Sequence, residues 1–291
     1  MNNKVLVTGG TGNTGGHAIK RLLELNIPVR ALVRKIDERS DALKAMGVEI
    51  AEGDLLDLDA VSAAMKDIKS AYFVYTIREP GIIDASAYFA QAALENGVEA
   101  IVNLSQFGAH RNVRSHGAQN HWVAERLFDY APVPVTHLRP TLFAEWFMYQ
   151  ARAIKSDSKF YLPFGDAKFA PITTEDVGLA VAAILADPEP HAGKSYDLFG
   201  SEILNMTEIA EVFTKVLDRK VTYVPIDTET FIGILKKFTP GHPYFIQHVT
   251  ALGQDLKDGR AAGMNSLVEE LIGQKPLAMA DYIIKNKAAF I

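Results

Sequence analysis

The N-terminal part of the chain alternates between short, wholly apolar runs and segments whose apolar residues recur at helical spacing. The run Val5 to Val7 predicts a buried strand, and Val29 to Val33 predicts a second one. Between them, the apolar positions from Ala18 to Leu25 fall at the spacing of an amphipathic helix. A strand, a helix and a strand within about 30 residues are typical of the start of a βαβ unit.

The alternation continues to residue 140. Apolar runs predict strands at 48–51, 71–75, 100–104 and 133–138, and helical periodicity predicts helices at 59–65, 82–95 and 122–129. Strands that alternate with helices form parallel sheets with helices on both faces. The predicted fold class is therefore α/β, a Rossmann-type doubly wound parallel sheet with a smaller C-terminal substrate lobe.

The lobe is predicted where the alternation weakens, beyond Pro140. We expect residues 1–150 to form the Rossmann domain, completed by about 171–200, and residues 141–170 and 201–291 to form the substrate-binding lobe. Thr173 with Asp176, and Asn205 with Glu208, have the spacing of capping boxes that start helices. An aromatic cluster after the sixth strand is predicted to wall an apolar pocket, although ordinary core packing is the alternative for each member: Phe143, Trp146 and Phe147.

The bend after the first strand contains glycines at every third position, Gly9, Gly12 and Gly15. A side chain at these positions would obstruct either a sharp strand-to-helix turn or the approach of a diphosphate to backbone N–H groups. The helix N-terminus that follows supplies N–H donors and partial positive charge for phosphate. The sequence therefore predicts a dinucleotide site, with a tight structural turn lacking a ligand as the alternative.

The second predicted strand ends in Arg34 and Lys35, where NAD-binding domains have an acidic residue for the ribose 2′-hydroxyl. A planar guanidinium and a second cation suit a 2′-phosphate, which favours NADP(H) over NAD(H). The alternative is that this charged segment is a solvated loop.

Ligands of doubly wound sheets bind beyond the carboxyl ends of the strands. The predicted cofactor-binding residues are Thr8, Gly9, Gly12, Asn13, Thr14, Gly15, Arg34, Lys35, Asp54, Leu55, Thr76 and Pro140.

Composition narrows the class of protein further. The chain has 291 residues, a net charge of −5 and no cysteine, which excludes disulfides and thiolate chemistry. No basic run favours nucleic acid, and no apolar run approaches the roughly 20 residues needed to span a bilayer. No signal peptide is recognised at the N-terminus. We therefore expect a cytoplasmic protein that does not bind nucleic acid or membrane directly.

Several segments together resemble the NmrA-like branch of the atypical short-chain dehydrogenases/reductases. They are VTGGTGNTG, ALVRK, AEGDL, LRPTLF, APITTEDVGLAVAAIL and the terminal LIGQKPLAMADYIIKNKAAF, and the resemblance covers essentially the whole chain. It implies a Rossmann domain with a small C-terminal lobe and a preference for NADP(H). It also implies one of two functions, because some members reduce quinones, dyes or plant phenylpropanoids, whereas others are redox sensors or transcriptional regulators.

The catalytic Tyr-x-x-x-Lys of most short-chain reductases is missing, since neither residue type occurs between Ser105 and Tyr130. Ser105 does follow the fifth strand, where those enzymes place a serine. His121 stands where isoflavone reductase-like proteins have a catalytic lysine, and quinone oxidoreductase-like relatives resemble this sequence in pairing a His there with a Glu four residues on, here Glu125. The predicted catalytic residues are His121 and Ser105, and no metal site is predicted.

Three roles for His121 stay open at this point. The imidazole can pass a proton to the acceptor after hydride arrives, because it titrates near neutral pH. It can instead only bond the nicotinamide ribose, or lie on the helix surface without a function. We expect an NADPH-dependent reductase of flat apolar acceptors such as quinones or azo dyes, and a possible homodimer. The alternatives are a non-catalytic NADP(H) sensor and a biosynthetic reductase of an enone or imine.

Overall fold

The computed structural model describes residues 3–291 and has an α/β fold built on a parallel sheet of seven strands. Two further strands, β7 and β9, pair in parallel with each other. The strands are β1 (Val5–Thr8), β2 (Val29–Val33), β3 (Glu49–Glu52), β4 (Ser70–Phe73), β5 (Ala100–Leu104), β6 (Val135–Pro140), β7 (Lys159–Leu162), β8 (Ser195–Leu198) and β9 (Thr222–Pro225).

Helices cover both faces of the large sheet and build most of the C-terminal part. They are α1 (Asn13–Glu24), α2 (Glu38–Ala45), α3 (Leu58–Ala64), α4 (Ile82–Glu95), α5 (His116–Tyr130), α6 (Ala151–Asp157), α7 (Thr174–Ala186), α8 (Met206–Leu217), α9 (Thr228–Phe238), α10 (Pro243–Lys257), α11 (Leu267–Ile272), α12 (Met279–Lys285) and α13 (Lys287–Phe290). Two 3₁₀ helices span Ala144–Gln150 and Glu189–His191. Within residues 3–291, no helix combines the length and apolar character needed to cross a bilayer.

The order of the strands confirms a doubly wound sheet. It runs β3-β2-β1-β4-β5-β6-β8, so the chain moves outward from β1 in one direction and then returns to β4 on its other side. The strands β1, β2, β4 and β5 are buried on both faces, which explains why they appear as continuous apolar runs. The crevice between the carboxyl ends of β1 and β4 is the switch point where such sheets bind ligands.

The strand β8 was not predicted, because it has no apolar run. Its sequence, Ser-Tyr-Asp-Leu, is exposed or half-exposed except at Leu198, since β8 lies at the edge of the sheet. The helix α2 was also not predicted, because its apolar residues do not form one face. The helix α5 begins at His116 rather than near Trp122, since the Ser115 hydroxyl accepts a hydrogen bond from the Ala118 N–H and caps the helix there.

The helix starts that the capping spacing predicted are present. The Asn205 side chain accepts the Glu208 N–H, and the Glu208 carboxylate accepts the Asn205 N–H, which is a complete capping box at α8. At α7 the Thr173 hydroxyl accepts the Asp176 N–H, but the Asp176 carboxylate accepts the Thr173 hydroxyl and the Leu277 N–H. Asp176 therefore ties the C-terminal segment to α7 instead of closing a box.

Buried residues from Leu142 to Phe169 and from Met206 to Phe290 form an apolar core, which is separate from the cores on the two faces of the sheet. The segments that build this core are called the lobe. Four buried phenylalanines form its centre, with neighbouring ring centroids 5.1 to 6.1 Å apart: Phe147, Phe160, Phe213 and Phe290. Aromatic contacts at these distances add to the free energy of apolar burial. This core fixes the 3₁₀ helix Ala144–Gln150 through the buried Ala144 and Phe147.

Candidate active site

One cavity of about 870 Å³ runs from the carboxyl ends of the sheet strands to the C-terminal lobe. The strand-end residues that the switch-point rule selected all line it: Thr8, Arg34, Asp54, Thr76, Ser105 and Pro140. Gly9, Gly12, Asn13, Thr14 and Leu55 line it as well. Gly15 and Lys35 do not, because Gly15 is buried in the turn and Lys35 is exposed outside the cavity.

The glycine turn is so tight that backbone or packed side-chain atoms lie where a Cβ would be. Gly9 has φ +60°, and a Cβ there would lie 2.6 Å from Cγ1 of Val74. A Cβ at Gly15 would lie 2.4 Å from the Gly9 carbonyl oxygen. Gly12 donates its N–H to that same oxygen at 2.9 Å, which closes the turn. Gly15 thus permits close backbone packing, and it acts on the cavity through the shape of the turn.

The N-terminus of α1 has the properties of an anion site. Its N-cap residue is Gly12, no side chain of the described residues caps it, and its first turn contains no acidic residue. Side chains cap α2, α3, α5, α7, α8 and α9, whereas within residues 3–291 α4, α6, α10, α11, α12 and α13 lack such a cap as α1 does. The start of α1 differs from these because Gly12, Asn13 and Thr14 line the cavity. The uncapped N–H groups and the positive end of the helix dipole therefore face the cavity beside Gly9 and Gly12.

Thr8 and Thr14 brace this turn from behind. The Thr8 hydroxyl accepts the Val74 N–H at 2.8 Å and donates to the Tyr72 carbonyl oxygen at 3.1 Å. The Thr14 hydroxyl accepts the Tyr72 phenol at 3.0 Å. These bonds join β1 and α1 to β4, so they hold the switch point in shape.

Positive charge lies at the end of the cavity beyond β2. Arg34 is exposed there, and Arg39 on α2 also lines the cavity. Arg39 is held by Asp37, with Nη2 2.6 Å from Oδ2, and the same Asp37 caps α2. The helix α2, which the sequence pattern did not predict, therefore carries a second guanidinium at the cavity that the glycine turn lines.

Buried polar atoms without partners occur in the middle of the cavity. They are Ser105 Oγ, Gln106 Nε2 and His121 Nδ1, and none of them has a hydrogen-bond partner among the described residues. Buried polar groups normally have partners, so such a group calls for an explanation. All three residues line the cavity, so a molecule bound there would lie next to these side chains.

The imidazole of His121 is neutral at physiological pH. Burial lowers its pKa to about 3, and the nearby His248 adds to this effect. This shift favours His121 as a hydrogen-bonding group over a source of an imidazolium proton, the first of its three predicted roles. It is 6 % exposed, so it is also not a helix-surface residue.

Glu125, one helical turn after His121, belongs to a different interaction. Its fully buried carboxylate receives two hydrogen bonds from Arg139, at 2.8 and 2.5 Å. The bidentate pair joins α5 to β6, and Arg139 comes directly before Pro140 at the cavity. Glu125 thus positions the strand end and uses both carboxylate oxygens to do so.

Aromatic rings form the opposite wall, but not the set that was predicted. Phe143 and Trp146 line the cavity, whereas Phe147 is 1 % exposed and packs into the lobe core. The reason is the three-residue period of the 3₁₀ helix, which places Phe143, Trp146 and Tyr149 on the cavity side and turns Ala144 and Phe147 inward. The assignment of Phe147 to the pocket was therefore wrong.

Lobe residues that were not predicted complete this wall. Phe245 of α10 stacks on Trp146 at a centroid distance of 6.3 Å, and Arg78 lies over the Phe245 ring at 5.8 Å. Glu145 also lines the cavity and accepts the Thr174 N–H and hydroxyl at the start of α7. The only sequence signal was a helical stripe along α10, whose members line the cavity: Phe245, His248, Leu252 and Leu256.

The burial of His121 and His248 makes the stability of the protein sensitive to acid. Unfolded histidines take up protons near pH 6.5, whereas burial lowers the folded pKa to about 3 for His121 and about 4 for His248. The unfolded chain therefore binds more protons below pH 6.5, and each buried histidine lowers the free energy of unfolding by up to about 1.4 kcal/mol per pH unit of acidification. Urea titrations at pH 7.5, 6 and 5 should show a shallower dependence in His121→Gln.

The control for this prediction is His116→Gln, which changes an exposed histidine on the same helix. It should retain the pH dependence of the wild type. An equal slope in wild type and His121→Gln would contradict the assignment of His121 as a neutral buried group.

Comparison with known proteins identifies the family. The model of the NmrA-like family matches residues 1–275. The chain belongs to the NmrA-like family. Among curated relatives, it is 29 % identical to the NAD(P)H azoreductase of Xenophilus azovorans over 227 residues, 77 % of this chain and 78 % of that protein. Quinone oxidoreductase 2 of Escherichia coli is 25 % identical over 235 residues, 80 % of this chain and 81 % of the relative.

Solved structures share the fold at lower identity. The NADPH-dependent quinone oxidoreductase of Escherichia coli, crystallised with NADPH, superposes with a TM-score of 0.86 at 23 % identity, covering 97 % of this chain and 99 % of that one. The negative transcriptional regulator NmrA in complex with NADP superposes with a TM-score of 0.80 at 18 % identity, covering 97 % and 94 %. The fold therefore occurs both in a reductase and in a regulator.

Proposed function

We propose that this NmrA-like protein is an NADPH-dependent reductase that transfers hydride to a flat, apolar acceptor such as a quinone or an azo dye. One observation carries the proposal: a single cavity joins the phosphate-type glycine turn and Arg34 at one end to the aromatic wall of Trp146 and Phe245 at the other. The relatives named as an azoreductase and a quinone oxidoreductase support it.

The residues present fit a pyridine dinucleotide. The uncapped start of α1 and the turn at Gly9 and Gly12 suit its diphosphate, and a Cβ in that turn would meet backbone or packed side chain. Arg34 and Arg39 suit a 2′-phosphate, which favours NADP(H). The unpartnered atoms of Ser105 and His121 suit polar groups of the nicotinamide half or of the acceptor.

The chain's own residues would orient the reactants, with no general acid required. Bound NADPH supplies a hydride from its nicotinamide ring. The rings of Trp146 and Phe245 would bind a flat acceptor at the lobe end of the cavity, and Ser105 and His121 would offer hydrogen bonds to polar atoms of the bound molecules. Quinones accept hydride readily, and the reduced anion can take its proton from water. A site with neutral hydrogen-bond donors is therefore sufficient.

A panel of quinones, azo dyes and cationic triphenylmethane dyes tests the proposal by following NADPH oxidation at 340 nm. We expect saturable turnover with at least one class, and Trp146→Ala should raise KM for that acceptor more than it changes NADPH affinity. Tight NADPH binding without turnover of any acceptor would contradict the proposal. That outcome would favour the alternative, a non-catalytic NADP(H) sensor, whose fold the NmrA regulator shares.

A further inference from the structure

The helix α10 of the lobe is fastened across the start of α5 by polar contacts. Gln247 accepts the His116 N–H at 3.0 Å and donates to the Arg114 carbonyl oxygen at 2.9 Å. Asn120 donates to the Tyr244 phenol at 3.1 Å. These contacts hold α10 at a fixed position over the cavity, so its inward side chains have defined positions.

His248 is the polar member of the inward stripe of α10. It is 5 % exposed and lines the cavity together with His121. A glycine makes room for it, since a Cβ at Gly117 would lie 3.1 Å from His248 Nδ1. The Nδ1 edge of the ring faces the Ser115 hydroxyl at 2.7 Å, which leaves Nε2 on the other edge.

The contact with Ser115 determines which nitrogen of His248 carries the proton. The Ser115 oxygen already accepts the Ala118 N–H at 3.0 Å. Among residues 3–291, the one further hydrogen-bond partner of the Ser115 side chain is His248 Nδ1. A buried hydroxyl that found no acceptor would lose a hydrogen bond, so Nδ1 accepts. The proton of the neutral ring is then on Nε2.

The ring stays in this neutral form at physiological pH, because burial lowers the pKa of His248 to about 4. Ser115 is fixed in turn, since it is the N-cap residue of α5 and is 2 % exposed. The helix cap, the hydroxyl and the imidazole therefore hold the ring in one orientation, and its single N–H lies on the edge away from Ser115.

We propose that His248 Nε2–H is the donor that binds a carbonyl-type oxygen of the acceptor, so that the site selects conjugated carbonyl compounds, quinones above all. This rests on the proposed function and specifies its acceptor. NADPH loses a hydride, and the acceptor gains two electrons and one hydrogen, so negative charge develops on its oxygen. His248 keeps its proton and stabilises that oxygen by a hydrogen bond; the reduced anion takes its proton from water after release, and NADP⁺ remains.

Nitrogen-15 NMR of the histidine-labelled full chain tests the assignment without turnover. We expect His248 to show a protonated Nε2 and an unprotonated Nδ1 between pH 6 and 8. In the presence of NADP⁺, which has no hydride to give, menadione should shift the Nε2 resonance of His248. A protonated Nδ1, or the absence of any shift with menadione, would overturn the proposal.

Two variants of His248 separate the donor from the packing. Glutamine places its amide nitrogen near the position of Nε2, whereas asparagine places it near Nδ1. We expect His248→Asn to lower kcat/KM for menadione about tenfold and His248→Gln to retain most of it, with NADPH affinity unchanged in both. His116→Asn, at an exposed position, should match the wild type. Equal losses in the two His248 variants would overturn the donor role.

The two tests distinguish this inference from the proposed function. A menadione-dependent shift of Nε2 in a wild type that does not oxidise NADPH supports the hydrogen bond and contradicts the reductase. Turnover of menadione without any shift of the His248 Nε2 resonance supports the reductase and overturns the assignment of His248.

Discussion

Replacing Gly15 by alanine is expected to weaken NADPH binding by about tenfold to a hundredfold. The added Cβ would lie 2.4 Å from the Gly9 carbonyl oxygen and 2.8 Å from the Gly9 carbonyl carbon. Backbone atoms cannot rotate away as a side chain would, so the turn must open. Opening it moves the N–H groups at the start of α1 that we assign to the diphosphate. Titration of the fluorescence of bound NADPH measures the change.

The matched control for Gly15→Ala is Gly16→Ala, one residue further along α1. A Cβ at Gly16 would lie 3.6 Å from the Gly10 carbonyl oxygen, which is an ordinary contact. Alanine also favours the helical backbone over glycine by about 1 kcal/mol. Gly16→Ala should therefore keep the NADPH affinity of the wild type and raise the free energy of unfolding. Equal affinities in both variants would contradict the role assigned to the turn.

Replacing Arg34 by alanine is expected to lower NADPH affinity about tenfold or more and to leave NADH affinity nearly unchanged. Arg34 is exposed at the carboxyl end of β2 and lines the cavity that contains the glycine turn. Because the two cofactors differ only in the 2′-phosphate, a selective loss locates the contact. The NADPH affinity of the wild type should also decline more steeply with salt than that of the variant.

Lys35→Ala is the control for Arg34, because Lys35 is an exposed neighbouring cation that does not line the cavity. Its NADPH affinity should remain close to that of the wild type. Arg39→Ala should fall between the two, since Asp37 already engages that guanidinium. A parallel loss of NADPH and NADH affinity in Arg34→Ala would show that Arg34 does not select the phosphorylated cofactor.

The strand-end part of the site could be predicted from sequence because parallel sheets bring distant strand ends to one edge. Ser105 and Pro140 needed only the recognition of two apolar runs to be placed near Thr8. Local pattern and general topology are sufficient for such residues. The same reasoning does not tell which strand-end side chains already form hydrogen bonds inside the protein. The Thr8 hydroxyl is one of these, because it accepts the Val74 N–H.

The lobe side of the cavity depends on contacts between distant segments. Phe147 was misplaced because a 3₁₀ helix and an α-helix turn different residues inward, and an aromatic cluster alone does not distinguish them. His121 was expected to titrate near neutral pH, but its burial places it in an environment where the neutral ring is favoured. His248 lies 133 residues from Ser115 in the chain, and no local pattern relates the two.

Isothermal titration calorimetry of the purified protein with NADPH and with NADH tests the central claim most directly: that the glycine turn and Arg34 hold a phosphorylated pyridine dinucleotide in this cavity. The account predicts binding of one NADPH per chain, with weaker binding of NADH. Absence of heat with both cofactors, in a protein shown to be folded by its circular dichroism, would contradict it.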